Sequence, residues 1–188
     1  MKEKIDPTQL PTVPSLVGKN VYLRPMEPHD NEITYQWFLA SDPATQSRHQ
    51  PVLTTAAAYV EWRGKREPDP KRGEFLIVRI EDNQPVGKLS YHDLNMLTRS
   101  AELGYLVAPG ELKKGYGKEA LRLLIYYLFS HMNLNKVYAQ TGAFNKASIK
   151  LLESLDFKLD GTLRQHHYYK GELHDDLVYS LLKFESNP

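Results

Sequence analysis

Apolar residues recur along this chain with two different periods. Over residues 20–25 they alternate, Val21 and Leu23 against Tyr22 and Arg24, the pattern of a short strand. Pro28-His29-Asp30 then opens a helix with Ile33, Trp37 and Phe38 on one face. A second helix is predicted from Thr54 or Thr55 to Arg66, ended by Pro68 and Pro70, because proline does not fit a helix interior. Three strands follow: residues 75–80, residues 85–92 after an Asp82-Asn83 turn, and Ser100–Val107. Pro109-Gly110 breaks the chain, and a glycine-containing loop leads into a long helix over residues 116–132. Residues 136–141 read as a strand. Residues 145–155 read as a helix with Ile149, Leu152 and Leu155 aligned. Two strands close the chain, Lys158–Tyr169 and residues 173–184, joined by a Lys170-Gly171 turn.

The order is β, α, α, β, β, β, α, β, α, β, β, which argues a mixed α/β sheet of about seven strands with about four helices. Residues 1–17, with Pro7, Pro11 and Pro14, read as an irregular arm, and residues 18–185 as a single domain. The 188 residues suffice for one core without staples.

Composition narrows the chemistry. A formal net charge of +1 argues against duplex nucleic acid as the main partner. The chain has no cysteine, which excludes disulfides, thiolate zinc sites and a cysteinyl intermediate. The first seven residues hold no apolar stretch of the signal-peptide kind. The longest apolar run, residues 121–129, is short and carries Arg122, so no membrane span is expected and cytoplasm is the default.

The segment 107–118 joins a strand to a helix. Such a junction presents free N–H groups at the positive end of the helix dipole, where an anion fits. Gly115 and Gly117 allow close backbone approach, and Lys113, Lys114 and Lys118 add positive potential. A P-loop is excluded, since Tyr116 and Gly117 stand where Lys and Ser/Thr belong; a Rossmann fingerprint lacks its third glycine. Taken alone, the glycine pair equally fits a tight turn ahead of a helix.

Ordered motifs add what the spacing alone does not. Ala101-Glu102-Leu103-Gly104-Tyr105-Leu106-Val107-Ala108-Pro109 followed by Gly115-Tyr116-Gly117-Lys118-Glu119-Ala120-Leu121 resembles the acetyl-CoA site of GNAT acetyltransferases. Phe144-Asn145-Lys146-Ala147-Ser148 with Leu151-Leu152-Glu153-Ser154-Leu155-Asp156-Phe157 resembles their second signature. Val21-Tyr22-Leu23-Arg24-Pro25, Gly161-Thr162-Leu163-Arg164 and Gly171-Glu172-Leu173-His174-Asp175 are similar to the opening strand and last hairpin of the RimJ/RimL-type branch. The resemblance spans about residues 17–184. It implies a GNAT fold with its sheet splayed between strands 4 and 5. The pantetheine arm of acetyl-CoA would lie against Leu106 and Val107, hydrogen-bonded like another strand. The pyrophosphate would rest on the amides of Lys113, Lys114, Gly115, Tyr116, Gly117 and Lys118. Asn145 would touch the pantetheine, and Ser148 stands where a hydroxyl is proposed to protonate the leaving thiolate. Leu112 replaces the Arg or Gln that usually begins the loop, and Asp156 replaces a common glycine.

Amine acetylation needs a base, since a primary alkylamine is mostly protonated at neutral pH. Glu102 is the first candidate, Asp93 and His92 the next; an ordinary strand-edge carboxylate is the alternative for Glu102. Ser148 could equally satisfy a local backbone group, and Asn145 is a helix N-cap by type. Trp37, Tyr35 and Trp62 fall on the two early helices, which roof the acceptor site in the branch resembled; their spacing also fits core. Asp93, Trp37 and Tyr168 are the substrate-binding candidates. Glu74, Asp93, Glu102 and Asp175 would make an acidic pocket suited to a cationic amine. His49, His166, His167 and His174 lack metal-ligand spacing, and no metal is expected. The chain thus reads as an acetyl-CoA-dependent N-acetyltransferase acting on a protein N-terminus or small amine by direct attack, with a non-catalytic acyl-CoA-binding module as the alternative. Pairing of the exposed C-terminal strands would allow a homodimer.

Overall fold

The computed structural model describes residues 16–41, 54–67 and 69–186. Seven strands form one sheet: β1 (Val21–Pro25), β2 (Gly73–Arg79), β3 (Pro85–Asn95), β4 (Ser100–Val107), β5 (Lys136–Gly142), β6 (Lys158–Tyr169) and β7 (Glu172–Leu182). Their order is β1-β2-β3-β4-β5-β7-β6. Among the described residues the helices are α1 (Asp30–Ala40), α2 (Ala56–Gly64), α3 (Tyr116–Ser130) and α4 (Lys146–Glu153). Every neighbouring pair runs antiparallel except β4 and β5. That parallel pair is joined by a crossover through α3, as parallel strands require.

The two faces of the sheet differ. One carries the main core, in which Leu121, Leu124 and Leu128 of α3 and Leu152 of α4 are fully buried against Leu23, Ile77, Leu89, Ala101 and Val137. The other carries a small cluster of Tyr22, Leu76 and Val78, with Trp37 packed on it from α1.

Local chemistry sets the ends of the elements. The Thr55 hydroxyl accepts from the Ala58 amide at 3.2 Å and caps α2. Asn145 caps α4 through the Ser148 amide at 3.1 Å. Beyond α4 the Phe157 amide reaches Leu152 O and the Asp156 amide reaches Glu153 O, the paired bonds of a Schellman motif with Asp156 at φ 64 in the usual glycine position. Lys170 and Gly171 both take positive φ between paired Tyr169 and Glu172, the form of a type I′ hairpin turn.

Two expectations need correction. Ile33, Trp37 and Phe38 are only half-buried; the buried face of α1 is Asp30, Asn31, Thr34 and Tyr35. Polar residues can occupy it because they are paired. Arg24 binds Asp30 with two bonds of 2.7 and 2.8 Å, and the Tyr35 hydroxyl donates to Thr54 O at 2.7 Å. Helices α2, α3 and α4 stop about two residues earlier than periodicity suggests. The expected arm lies outside the described residues except Leu16, which is 3% exposed in the core, and Val17, which bridges to Tyr22.

Candidate active site

The β4–β5 pairing covers only Ser100–Glu102 against Lys136–Tyr138. Past Glu102 the two strands part. Each keeps its outer partner, β3 or β7, so the facing edges of Leu103–Val107 and residues 139–142 are unpaired with each other. Between them lies a cleft of about 390 Å³ lined by Leu106, Val107, Ala139, Thr141, Asn145 and Ser148 among others. Unpaired strand edges in a cleft are hydrogen-bonding walls for an extended polar ligand.

At the open end β4 runs into α3. Gly115, at φ 87, is its N-cap and supplies no capping side chain, so the amides of Tyr116, Gly117 and Lys118 lack intrahelical partners. Lys113 also takes positive φ, at 63. A Cβ on Gly117 would come 2.9 Å from Val107 Cγ2, so glycine lets the helix start close to β4. Lys114 pairs with Glu111 at 2.8 Å, and Arg79 lies over the Tyr116 ring at 5.9 Å. Free amides at a helix start are what an anion site at 113–118 would need.

At the closed end the side chains divide by face. Tyr105 points to α4, where its hydroxyl meets Ser148 Oγ at 2.7 Å. Burial pushes the Tyr105 phenol up to about 12, against the Ser148 hydrogen bond, so it stays protonated. Sequence reasoning singled out Ser148 and missed Tyr105; alternation along β4 could have paired them. Glu102 faces the other way. It is 5% exposed on an interior strand, beside His92 on β3 and Tyr138 on β5, so the strand-edge reading is overturned. His92 Nδ1 lies 3.2 Å from Asp93 and 3.9 Å from Glu102. Ligand atoms of these three residues, the base candidates of the sequence, fall within 4.8 Å of one another.

On the Glu102 face a second cleft, of about 280 Å³, reaches from His92 and Ser90 toward α1 and α2. It shares Gly104, Tyr105 and Leu106 with the first. A Cβ on Gly104 would lie 2.7 Å from Ser90 Oγ, so any larger residue there would crowd Ser90. The expected acidic pocket is not what surrounds this cleft. Glu74 is ion-paired to Arg63 and, at 3.3 Å, to Arg72, and Lys88 stands beside them. Burial raises the Glu74 carboxyl, but Arg63 and Arg72 outweigh it and hold it below its usual range. Asp175 is engaged elsewhere, accepting from the Gln165 amide at 2.9 Å.

The remaining candidates scatter. Trp37 packs in the small cluster, Asp93 has a 70% exposed side chain, and Tyr168 is 68% exposed and lines neither cleft. His167 instead is buried, 3.1 Å from fully buried Asp176, which also accepts from Gln140. His49 lies outside the described residues.

Comparisons agree with this geometry. The family model for the acetyltransferase (GNAT) domain matches residues 20–158. An N-acetyltransferase of Bacillus licheniformis, p20, is 29% identical over 173 residues, covering 91% of this chain and 97% of its own. YoaA of Bacillus subtilis, another N-acetyltransferase by name, is 30% identical over 154 residues, 82% of each chain. In fold, the crystal structure of spermidine N-acetyltransferase from Vibrio cholerae in complex with CoA and spermine superposes with a TM-score of 0.81 at 20% identity, covering 89% of this chain and 98% of that one. With the forked strand pair and the matched domain together, this chain belongs to the GNAT acetyltransferase family and is an acyltransferase.

Proposed function

We propose that the protein transfers the acetyl group of acetyl-CoA to a primary amine by direct attack, within the RimJ/RimL-type branch that its opening strand and last hairpin resemble. The single observation that carries this reading is the division of groups across the fork, with Glu102 on the acceptor face and the Tyr105–Ser148 hydroxyl pair on the other. A thioester supplies the activated acetyl carbon. The chain's own contribution is to hold the donor against unpaired strand edges and the α3 amides, and to manage two protons.

Glu102 is positioned to draw a proton from the incoming ammonium, directly or through water, with His92 beside it. As the N–C bond forms and the C–S bond breaks, the sulfur gains negative charge and finally the proton. The hydroxyl pair favours that charge by hydrogen bonding. Full transfer from a phenol at about 12 to a thiolate whose thiol has a pKa near 8.5 runs uphill by roughly 5 kcal/mol, so Tyr105 donates a hydrogen bond and the proton comes from the amine. Groups on both walls favour an enzyme over a non-catalytic acyl-CoA-binding module.

No described helix is long and apolar enough to cross a membrane; cytoplasm is the proposed location. Strand β6 is the outermost strand of the sheet and leaves Leu159 and Leu163 exposed, which suits a homodimer contact measurable by sedimentation. The test of the main reading is calorimetric titration with acetyl-CoA, CoA and ATP, then thiol release over an amine panel. Binding of the first two but not ATP, with turnover, supports it; no binding of acetyl-CoA overturns it.

A further inference from the structure

The cleft on the Glu102 face holds more positive charge than its neighbours need. Its charged lining is Arg63 from α2, Arg72 just before β2, Lys88 from β3 and one carboxylate, Glu74; His92 and Tyr105 complete the titratable groups. Arg63 is also held by Asn31 Oδ1 at 3.2 Å, which fixes its guanidinium at the cleft wall. Arg66 lies close enough that the charges of Arg72 and Arg63, after burial, lower its pKa. Exposed Glu27, Glu67 and Asp69 stand at the rim of the adjoining outer cleft, not in the inner one.

Two observations show that the ion-pair network does not use up its cations. Arg72 Nε is buried, and among the described residues it is the only buried side-chain nitrogen or oxygen without a hydrogen-bond partner. Such a group is rare in a native structure and calls for a partner, a water or an ion among the candidates. Lys88 makes no hydrogen bond or salt bridge with the described residues, although burial, then Arg63, bring its ammonium down to about 8. A single carboxylate already shared between two guanidiniums leaves Lys88 Nζ, on a half-buried side chain, without a carboxylate of its own.

We propose that the acceptor amine carries an oxyanion, a carboxylate or phosphate, several bonds from its nitrogen, and that Arg63, Arg72 and Lys88 hold it. This rests on the acetyltransferase reading above, since Glu102 must mark the amine end. The register sets the spacing. His92 pairs with Glu102, Ser90 with Gly104, and Lys88 with Leu106, all on one face. At about 3.3 Å per residue, Ser90 and Lys88 stand roughly 7 and 13 Å along the strand from the Glu102 row. An α-amino acid is too short for both ends, and a polyamine offers the wrong charge to the far end.

The test uses four amines of one chain length with acetyl-CoA: 6-aminohexanoate, 6-aminohexyl phosphate, hexylamine and 1,6-diaminohexane, read by thiol release. The anionic pair should exceed hexylamine at least tenfold in kcat/KM, with the diamine poorest, and the better of the two anions identifies the group. Lys88→Met should bring the anionic preference down about tenfold. A preference for the diamine overturns the proposal while leaving amine acetylation intact. Where none of the four turns over, hexanoate and hexyl phosphate are titrated into the CoA-loaded protein. Binding weakened at least tenfold in Lys88→Met sustains the proposal, and absence of binding by both anions overturns it. Failure to bind acetyl-CoA itself, measured separately, would instead overturn the proposed function.

Discussion

Replacing Lys88 by Met should make the protein more stable at neutral pH. The folded chain holds this ammonium against burial and the Arg63 and Arg72 charges, with only Glu74 favouring it, and its pKa falls from 10.5 to about 8. Keeping it protonated at pH 7 therefore costs roughly 3 kcal/mol relative to the unfolded chain. Lys88 retains some solvent contact, and the substitution also removes attraction to Glu74, so a net gain of about 1–2 kcal/mol is expected. In a domain of this size that is a rise of roughly 3–6 °C in Tm. The sign with pH follows from proton counts. Between about 8 and 10.5 the unfolded chain keeps a proton that the folded chain has lost, so wild-type stability recovers as pH rises through that window. Below it the whole penalty applies. Thermal unfolding of both proteins by circular dichroism, in phosphate-free buffer from pH 7 to 9.5, should show a Met advantage that narrows with pH. A variant less stable at pH 7, or an advantage that does not change with pH, would refute the charge argument. A gain in stability paired with loss of anionic preference would mark Lys88 as a residue kept for binding at the expense of the fold.

Other perturbations test the fork. Gly115→Pro should abolish acetyl-CoA binding by calorimetry, because proline cannot reach φ 87; unchanged affinity in a folded variant would move the anion site elsewhere. Tyr105→Phe keeps the ring and removes the hydroxyl beside Ser148, and should lower kcat about 10- to 100-fold with stability falling by about 1 kcal/mol. Glu102→Gln should depress the acetylation rate most at low pH, where more of the amine arrives protonated, and an unaltered pH–rate profile would transfer the role to water or Asp93. Asp156→Gly should raise stability by about 0.5 kcal/mol in thermal melts, since φ 64 strains a residue with a Cβ.

Much of the sheet was legible because its signals are local. Strand β4 and strand β6 have the bounds that alternation and turn residues predict, and Lys170-Gly171 takes the turn its glycine suggests. The segment ahead of α3 was legible for the same reason: two glycines and a strand-to-helix junction define the loop whatever packs around it. Helix α1 was misread because its inward face is polar. Only pairing across the fold, Asp30 with Arg24 and Asn31 with Arg63, makes burial of such residues tolerable, and no periodicity reports a partner 32 positions away.

The same limit separates the two sides of the fork. The donor wall is made of backbone: free strand edges past Glu102 and the first amides of α3. Glycine, proline and hydrophobic period encode backbone directly. The acceptor wall is made of side chains brought from α2, β2 and β3, and its sign depends on which charges cancel. Glu74 counted as an acid in the sequence; in the fold it is the shared counter-ion of Arg63 and Arg72, and the charge left over is positive. Counting carboxylates in the sequence therefore misjudges the sign of this wall. The likeness to a spermine-bound structure at 20% identity shows the fold, and it does not fix this wall. Three cations meeting one carboxylate on this wall are the ground for the proposed anion-bearing acceptor, and the four-amine comparison decides whether they select it.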